Sequence, residues 1–401
     1  MIESRFIEKL LNGRKVEWRA LGDVSDFQNG FAFKSSLFKD DGQTIVRITN
    51  INGKEVDLSD VKYFSLDDYS TILTSYEIKK GDILIAMSGA TTGKIGLYNY
   101  EYTSYLNQRV GKFIPKKNIL NNRYLYHYLL SKANEIYIIA GGGAQPNLSS
   151  NKLMTEIKIP IPPLSVQTEI ARVLDAFTSL TAELTAELTS RQKQYQYFKE
   201  HLLNINNNIV WKSLSEITIT TKNIKWENNK KNYRYIDLTS VNRENNRITE
   251  TIEINAKNAP SRAQKIIEKN DILFATTRPT QQRMTIVPEE YDSQIASTGY
   301  CVLRPNKEEV LPEWIYYNIS TIDFKNYVEE YQSGSAYPAI SDYKVKEYKI
   351  PIPSIQMQEK LISILNRFEE LTHSIEAGLP SEIQLRKQQY EYYRNMLLNF
   401  K

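Results

Sequence analysis

Ile159-Pro160-Ile161-Pro162-Pro163-Leu164 leads into Gln167-Thr168-Glu169-Ile170-Ala171-Arg172-Val173-Leu174, and the run closes on Arg191-Gln192-Lys193-Gln194-Tyr195-Gln196-Tyr197-Phe198-Lys199. Proline locks φ and removes a backbone donor, so these prolines are expected to end whatever fold precedes them. Beyond Leu164 neither proline nor glycine occurs until well past Leu203. Apolar residues recur at Ile170, Val173, Phe177, Leu180, Leu184, Leu188, Tyr195, Phe198 and Leu202. Steps of three and four place them on one stripe of a long helix. A helix from Gln167 to Asn204 is about 57 Å long at 1.5 Å per residue. That is too long for a small core and suits a spacer or coiled-coil arm.

The stretch occurs twice. Ile350-Pro351-Ile352-Pro353 repeats Ile159 to Pro162, Gln358-Glu359 follows it, and Arg386-Lys387-Gln388-Gln389-Tyr390-Glu391-Tyr392-Tyr393-Arg394 answers Arg191 to Lys199. A tail pattern occurs three times, as Phe6 to Asn12, Phe198 to Asn204 and Tyr393 to Asn399, at spacings of 192 and 195 residues. The chain therefore reads as a two-unit repeat cut open inside an arm, pseudo-twofold, with its termini expected close together. Gly378-Leu379-Pro380 interrupts the second arm and is expected to kink or break it.

Between the arms lie two similar globular stretches. Glu17-Trp18 opens the first and Val210-Trp211 the second. β-rich runs fall at Thr44 to Thr49, Val61 to Ser65, Asp82 to Met87, Ile95 to Tyr98 and Val110 to Ile114, with a helix at Arg123 to Ser131. The second stretch keeps the order, at Tyr233 to Leu238, Arg247 to Ile254, Asp271 to Ala275, Met284 to Val287 and Gly299 to Arg304, with a helix at Glu313 to Ile319. Gly81-Asp82-Ile83-Leu84 matches Asn270-Asp271-Ile272-Leu273, and Ala144 to Ser149 matches Ala336 to Ser341. The loops between these anchors differ: Ser88-Gly89-Ala90-Thr91-Thr92-Gly93-Lys94 stands against Thr276 to Arg283. The expected fold class is α+β, two mixed α/β domains separated by two long helices. The expected boundaries are a helical stub 1–15, domains 16–163 and 207–354, and arms 164–206 and 355–401.

Composition bounds the function. With 401 residues, two or more domains are expected. A net charge of +4 is too small to argue for nucleic acid by itself. Tyrosine is abundant, 27 against 13 phenylalanines, and its apolar ring with a polar tip suits contact surfaces. The single cysteine, Cys301, excludes an internal disulfide framework. No apolar run reaches the length of a membrane span, and Met1 to Lys15 lacks the apolar core of a signal peptide, so a reduced cytoplasmic protein is expected.

Catalytic signatures do not emerge. Gly89 to Ile95 has three residues between its glycines and Ile95 after Lys94, where a phosphate loop needs four and a Ser or Thr. His127, His201 and His373 are scattered without metal-ligand spacing. Neither the Asn/Asp-Pro-Pro-aromatic motif of adenine methyltransferases nor a glycine-rich methyl-donor fingerprint is present. What remains are side chains able to read base edges, since Arg and Lys pair with guanine and Asn and Gln with adenine. In the first stretch these are Lys34, Arg47, Asn50, Thr91, Thr92, Lys94, Asn107, Gln108, Arg109, Gln145 and Asn147. In the second they are Arg234, Arg243, Thr276, Arg278, Gln281, Gln282, Arg283, Ser335 and Tyr337.

The duplicated Ile-Pro-Ile-Pro gate with its following Gln-Thr-Glu-Ile and Gln-Glu-Lys-Leu, the Gly-Asp-Ile-Leu run, the loop before Asn147-Leu148-Ser149 and the Tyr-rich arm ends resemble the specificity subunits of type I restriction–modification enzymes. The resemblance covers essentially the whole chain. It implies that each globular stretch is a target-recognition domain for one half of a bipartite double-stranded DNA site. The arms would then pack antiparallel and hold the domains for half-sites roughly 34 Å apart. It also implies that the arms dock two modification subunits, which methylate adenine, and that restriction subunits join. The methyl donor, Mg and ATP would belong to those partners and none to this chain. On the arms the implied docking residues are Gln167, Arg172, Arg191, Tyr195, Gln358, Arg386 and Tyr390. Acids and bases are nearly balanced along the first arm, which suits protein packing better than DNA tracking. The competing reading is a tandem-repeat scaffold for proteins or glycans; an enzyme with an unrecognised site ranks last.

Overall fold

The computed structural model describes residues 2–142, 146–204, 209–243, 245–373 and 378–400, with backbone only at 2–6, 372 and 373. It divides into two compact units: unit 1 is Met1–Glu183 with Gln384–Lys401, and unit 2 is Leu184–Ile383.

Unit 1 carries two four-stranded sheets. The first runs Ser25–Asn29, Val110–Pro115, Ile83–Ala86, Ile95–Leu97, all antiparallel. The second runs Lys62–Phe64, Gln43–Val46, Ser104–Leu106, Glu77–Ile78, with a parallel pair at its centre. Ile83 to Ala86 are fully buried, and an uninterrupted apolar run is what a strand covered on both faces requires. Unit 2 repeats this strand for strand. One sheet orders Thr218–Ile219, Tyr300–Pro305, Ile272–Ala275, Met284–Ile286. The other orders Ile252–Ile254, Tyr233–Ile236, Ile295–Ser297, Ala263–Ile266, again with the parallel pair in the middle.

The proline gates do not end the preceding fold. Lys158–Ile161 is a strand paired with Glu17–Ala20, placing Pro160 opposite Trp18; Lys349–Ile352 pairs with Val210–Ser213, placing Pro351 opposite Trp211. A two-stranded ribbon tolerates proline because both of its strands are edges. The gate carbonyls are anchored alike, by different donors. The Tyr124 hydroxyl donates to Pro160 O (3.0 Å) and the Trp314 indole N–H to Pro351 O (2.8 Å).

The glutamines after the gates are buried. Gln167 Oε1 accepts from Asn121 N–H (2.8 Å), while its Nε2 donates to Ile119 O (2.9 Å) and Pro162 O (2.8 Å). Gln358 makes the same three bonds, to Leu311 N–H (2.9 Å), Glu309 O (3.0 Å) and Pro353 O (2.9 Å). Each amide locks the start of an arm onto the loop before its unit's helix, Asn122–Ser131 or Pro312–Ile319.

The first arm is one helix, Leu164–Leu203. Of its apolar stripe, Ile170 and Tyr195 are buried, Val173, Phe177, Leu184, Leu188 and Leu202 are half-buried, and Leu180 and Phe198 are exposed. The second arm is two helices, Ile355–His373 and Gly378–Leu398. Pro380 is the third residue of the latter, where a missing N–H costs no intrahelical bond. Gly378 has φ +76°, and a Cβ there would meet Leu371 O at 2.7 Å, so only glycine fits the re-entry. In unit 1 Phe177 stacks on Tyr393 (5.1 Å), and in unit 2 Phe198 stacks on Phe368 (5.9 Å). Ile7, Leu10 and Leu11 of the helix Ile2–Leu11 pack against the core that holds Leu397, Leu398 and Phe400. Both ends of the chain thus complete unit 1. Among the described residues no helix is long and apolar enough to cross a membrane.

His127 joins three elements of unit 1. Its Nε2 faces Asp175 Oδ1 (2.7 Å) and its Nδ1 faces the Tyr390 hydroxyl (3.0 Å), while the Arg123 guanidinium also grips Asp175. Burial pushes the imidazole below the ordinary histidine value, against the pull of Asp175. Burial alone would raise the Asp175 carboxyl, but hydrogen bonds from His127 and Arg123 outweigh it and hold it at about 2.

Candidate nucleic-acid interface

One end of each unit gathers its irregular loops. In unit 1 they are bound together by backbone. Met87 N–H donates to Arg109 O (2.8 Å), Leu148 N–H to Met87 O (2.8 Å) and Gly89 N–H to Pro146 O (3.3 Å). Phe31 N–H donates to Leu106 O (2.9 Å), and Gly30 approaches so closely that a Cβ would lie 1.9 Å from Asn107 O. Segments 30–34, 47–50, 88–94, 107–109 and 146–148 therefore form one surface. Lys34, Lys94, Gln108, Arg109 and Asn147 are exposed on it, and Asn107 is half-buried with its Oδ1 accepting from Gln108 N–H (2.8 Å). Arg109 Nη1 donates to Asn147 Oδ1 (3.3 Å), joining two of these side chains.

Unit 2 is tied identically. Thr276 N–H donates to Gly299 O (2.8 Å), Ile340 N–H to Thr276 O (2.9 Å) and Arg278 N–H to Pro338 O (2.7 Å). Arg278, Gln281, Ser335 and Tyr337 are exposed there, and the Arg278 guanidinium lies 5.1 Å from the centre of the Tyr337 ring. Gln282 is half-buried and donates to Thr321 O (3.2 Å). Arg283 is half-buried, with Nε enclosed and unpartnered within the chain.

Several expected readers are framework instead. Asn50 is buried; its Oδ1 accepts from Arg47 N–H (2.9 Å) and its Nδ2 donates to Asp57 O (2.9 Å) and Asp60 O (2.8 Å). Thr92 is buried on Gly89 O (2.7 Å) and Pro146 O (3.1 Å), and Thr276 on Gly299 O (2.9 Å). Thr91 donates to Ile48 O (3.0 Å). Polar residues suit these sites because each bonds backbone groups of its own loops. Arg47 is half-exposed and turns to Asp60 (3.6 Å). Arg234 belongs to the strand Tyr233–Ile236 and covers the Tyr291 ring (5.6 Å). Arg243 is exposed in a turn that Asn246 ties to the Tyr316 hydroxyl (3.2 Å), on the helix side. Gln145 lies outside the described residues.

The arm residues divide likewise. Gln167, Gln358, Tyr195 and Tyr390 are buried inside their own units, so the docking role expected of them is corrected to an internal one. Arg172 and Arg191 are exposed, paired with Glu169 (2.7 Å) and Glu187 (2.8 Å) on their own helix. Arg386 is half-buried and donates to Gln389 Oε1 (2.9 Å). Sequence reasoning passed over Tyr137 and Tyr331, exposed tyrosines on the helices Ala133–Ile139 and Ile322–Tyr331 that lead into the two glycine-containing loops. Their place just before those loops was the available signal.

A sequence model described as the type I restriction modification DNA specificity domain matches residues 14–191 and again 207–385. The EcoR124I/EcoR124II specificity subunit of a type I restriction enzyme from Escherichia coli is 30% identical over 421 residues, covering 100% of this chain and 98% of that protein. A crystal structure of a type I restriction–modification S subunit from M. genitalium shares the fold, with a TM-score of 0.56 at 16% identity, covering 97% of this chain and 98% of that one. A chain from a study of complex assembly and conformational transition of the type I R-M system does so with a TM-score of 0.61 at 15% identity, covering 96% and 98%. With both of its units matched, this chain belongs to the type I restriction–modification DNA specificity subunit family.

Proposed function

We propose that this chain reads a bipartite double-stranded DNA site, one half with the loop surface of each unit, and carries no chemistry of its own. The observation behind this reading is a duplicated framework that presents different side chains. The backbone ties among the loops are the same in both units. Unit 1 exposes Gln108, Arg109 and Asn147 on them, and unit 2 exposes Arg278, Gln281, Ser335 and Tyr337. Shared backbone with unlike polar tips suits two readers of unlike sequence, since base edges are told apart by donor and acceptor pattern. Lys34, Lys94, Arg109 and Arg278 supply the positive charge that contact with phosphates needs. In this reading the arms set the gap between half-sites and dock two modification subunits through exposed positions such as Arg172 and Arg191. The methyl donor, Mg and ATP sit on those modification subunits and on restriction subunits.

The test is a genome-wide adenine-methylation map in cells expressing this chain with its modification subunit, against that subunit alone. A new split motif with two defined halves and a fixed gap is the expected result. Replacing residues 17–163 with another reader then changes one half only. A soluble complex that leaves no new motif would favour the protein-binding scaffold.

A further inference from the structure

The two units solve one loop differently. Gly89 N–H bonds Pro146 O in unit 1 and Arg278 N–H bonds Pro338 O in unit 2; Ala86 N–H bonds Lys94 O and Ala275 N–H bonds Arg283 O. These ties align Gly89 with Arg278 and Gly93 with Gln282. The glycines have φ +77° and +81°, and the residues in their places keep the left-handed backbone, at +50° and +47°. Glycine adopts that conformation freely, whereas a side chain pays sterically for it. Non-glycine residues persist there when the surroundings hold them, and such outliers gather at functional sites. Nothing in the backbone ties requires an arginine, because unit 1 makes the same bond with glycine. The side chain is what unit 2 gains.

That side chain is exposed and oriented. The guanidinium lies against the Tyr337 ring, and the ring is itself 71% exposed. Contact with the ring covers one side of the guanidinium and limits how it can turn, leaving N–H donors on its other sides. A guanidinium fork matches the paired O6 and N7 acceptors of guanine in the major groove. The aligned turn of unit 1 carries Gln108 and Arg109, where unit 2 has Thr298 and Gly299, so the reading groups have moved from one loop to its neighbour.

We infer that Arg278 reads a guanine in the half-site of unit 2, and that Tyr337 is the positioning residue that limits how it turns. This rests on the proposed reader function. The test uses the full chain with its modification subunit and maps methylated motifs for wild type, Arg278→Gly, Tyr337→Ala and Tyr337→Phe. Glycine suits the backbone at 278, so Arg278→Gly should fold and assemble. The expected result is a split wild-type motif with guanine at one position. Arg278→Gly should lose roughly 10- to 100-fold of that preference there and nowhere else. Tyr337→Ala should relax the same position, and Tyr337→Phe should restore it. An unchanged motif in Arg278→Gly overturns the inference. So does uniformly weaker methylation at all sites with a shallower salt dependence, the mark of a phosphate contact. If wild type itself yields no split motif, the reader function fails, and this inference with it.

Discussion

Asn50 and Arg278 show how little residue type says about role. Both are side chains that pair with bases, yet Asn50 spends its amide on three backbone groups of its own loop while Arg278 points outward against Tyr337. Asn50→Ala removes the acceptor of Arg47 N–H and a donor from Asp57 O and Asp60 O, of which Asp60 O keeps the Arg47 guanidinium (3.5 Å), so a loss of about 1–3 kcal/mol is expected. Chemical denaturation measures it; a stable variant with an altered motif would show instead that Asn50 reads DNA. His127 carries a pH prediction. Buried among Asp175, Arg123, Tyr390 and Arg394, it binds its proton less readily in the fold than in the unfolded chain. The unfolded state then holds more protons below the ordinary value of 6.5, so the contribution of His127 is full above that pH and is lost as pH falls. Denaturation between roughly pH 8 and 5 should show this slope in wild type and a flatter one in His127→Gln. Equal slopes would assign the effect to other groups. The Asp175 contribution is lost at lower pH, from the ordinary 3.8 toward about 2.

At the scale of elements, the junction of gate, glutamine and helix is the repeated device. Gln167 and Gln358 each satisfy one N–H and two carbonyls at the point where an arm leaves its unit. A leucine of similar size would leave all three groups bare. Gln167→Leu or Gln358→Leu is expected to cost about 2–4 kcal/mol. Hydrogen exchange locates the damage: Gln167→Leu should deprotect Asn122–Ser131 and leave Pro312–Ile319 protected. Loss of partner assembly with unchanged stability would return these glutamines to a docking role.

For the molecule as a whole, the consequence is that unit 1 is discontinuous in sequence. Ile7, Leu10 and Leu11 share a core with Leu397, Leu398 and Phe400. Deleting residues 1–12 strips three partly buried apolar side chains from it, worth about 2–5 kcal/mol together at roughly 25 cal/mol per Å². Exchange protection should fall in Ile83–Ala86 and Val110–Pro115 and hold in Ile272–Ala275 and Tyr300–Pro305. An equal fall in both units would contradict the assignment of this helix to unit 1.

The sequence by itself determined the duplication, the long first arm, the break at Gly378-Leu379-Pro380 and the central strands, because these rest on local periodicity and on proline and glycine geometry. It also carried the family, through motifs in matching order. The short strands Ser25–Asn29, Glu77–Ile78 and Ser104–Leu106 were not legible, since their partners lie far along the chain. The gate was misread because a proline at a ribbon edge and a proline that ends a fold look alike until pairing is known. Tertiary structure alone decided which polar residues face water. Asn50, Thr92 and Thr276 went inward, and Arg278 went outward, because buried loop carbonyls must find donors, and only the assembled loops show where those carbonyls are.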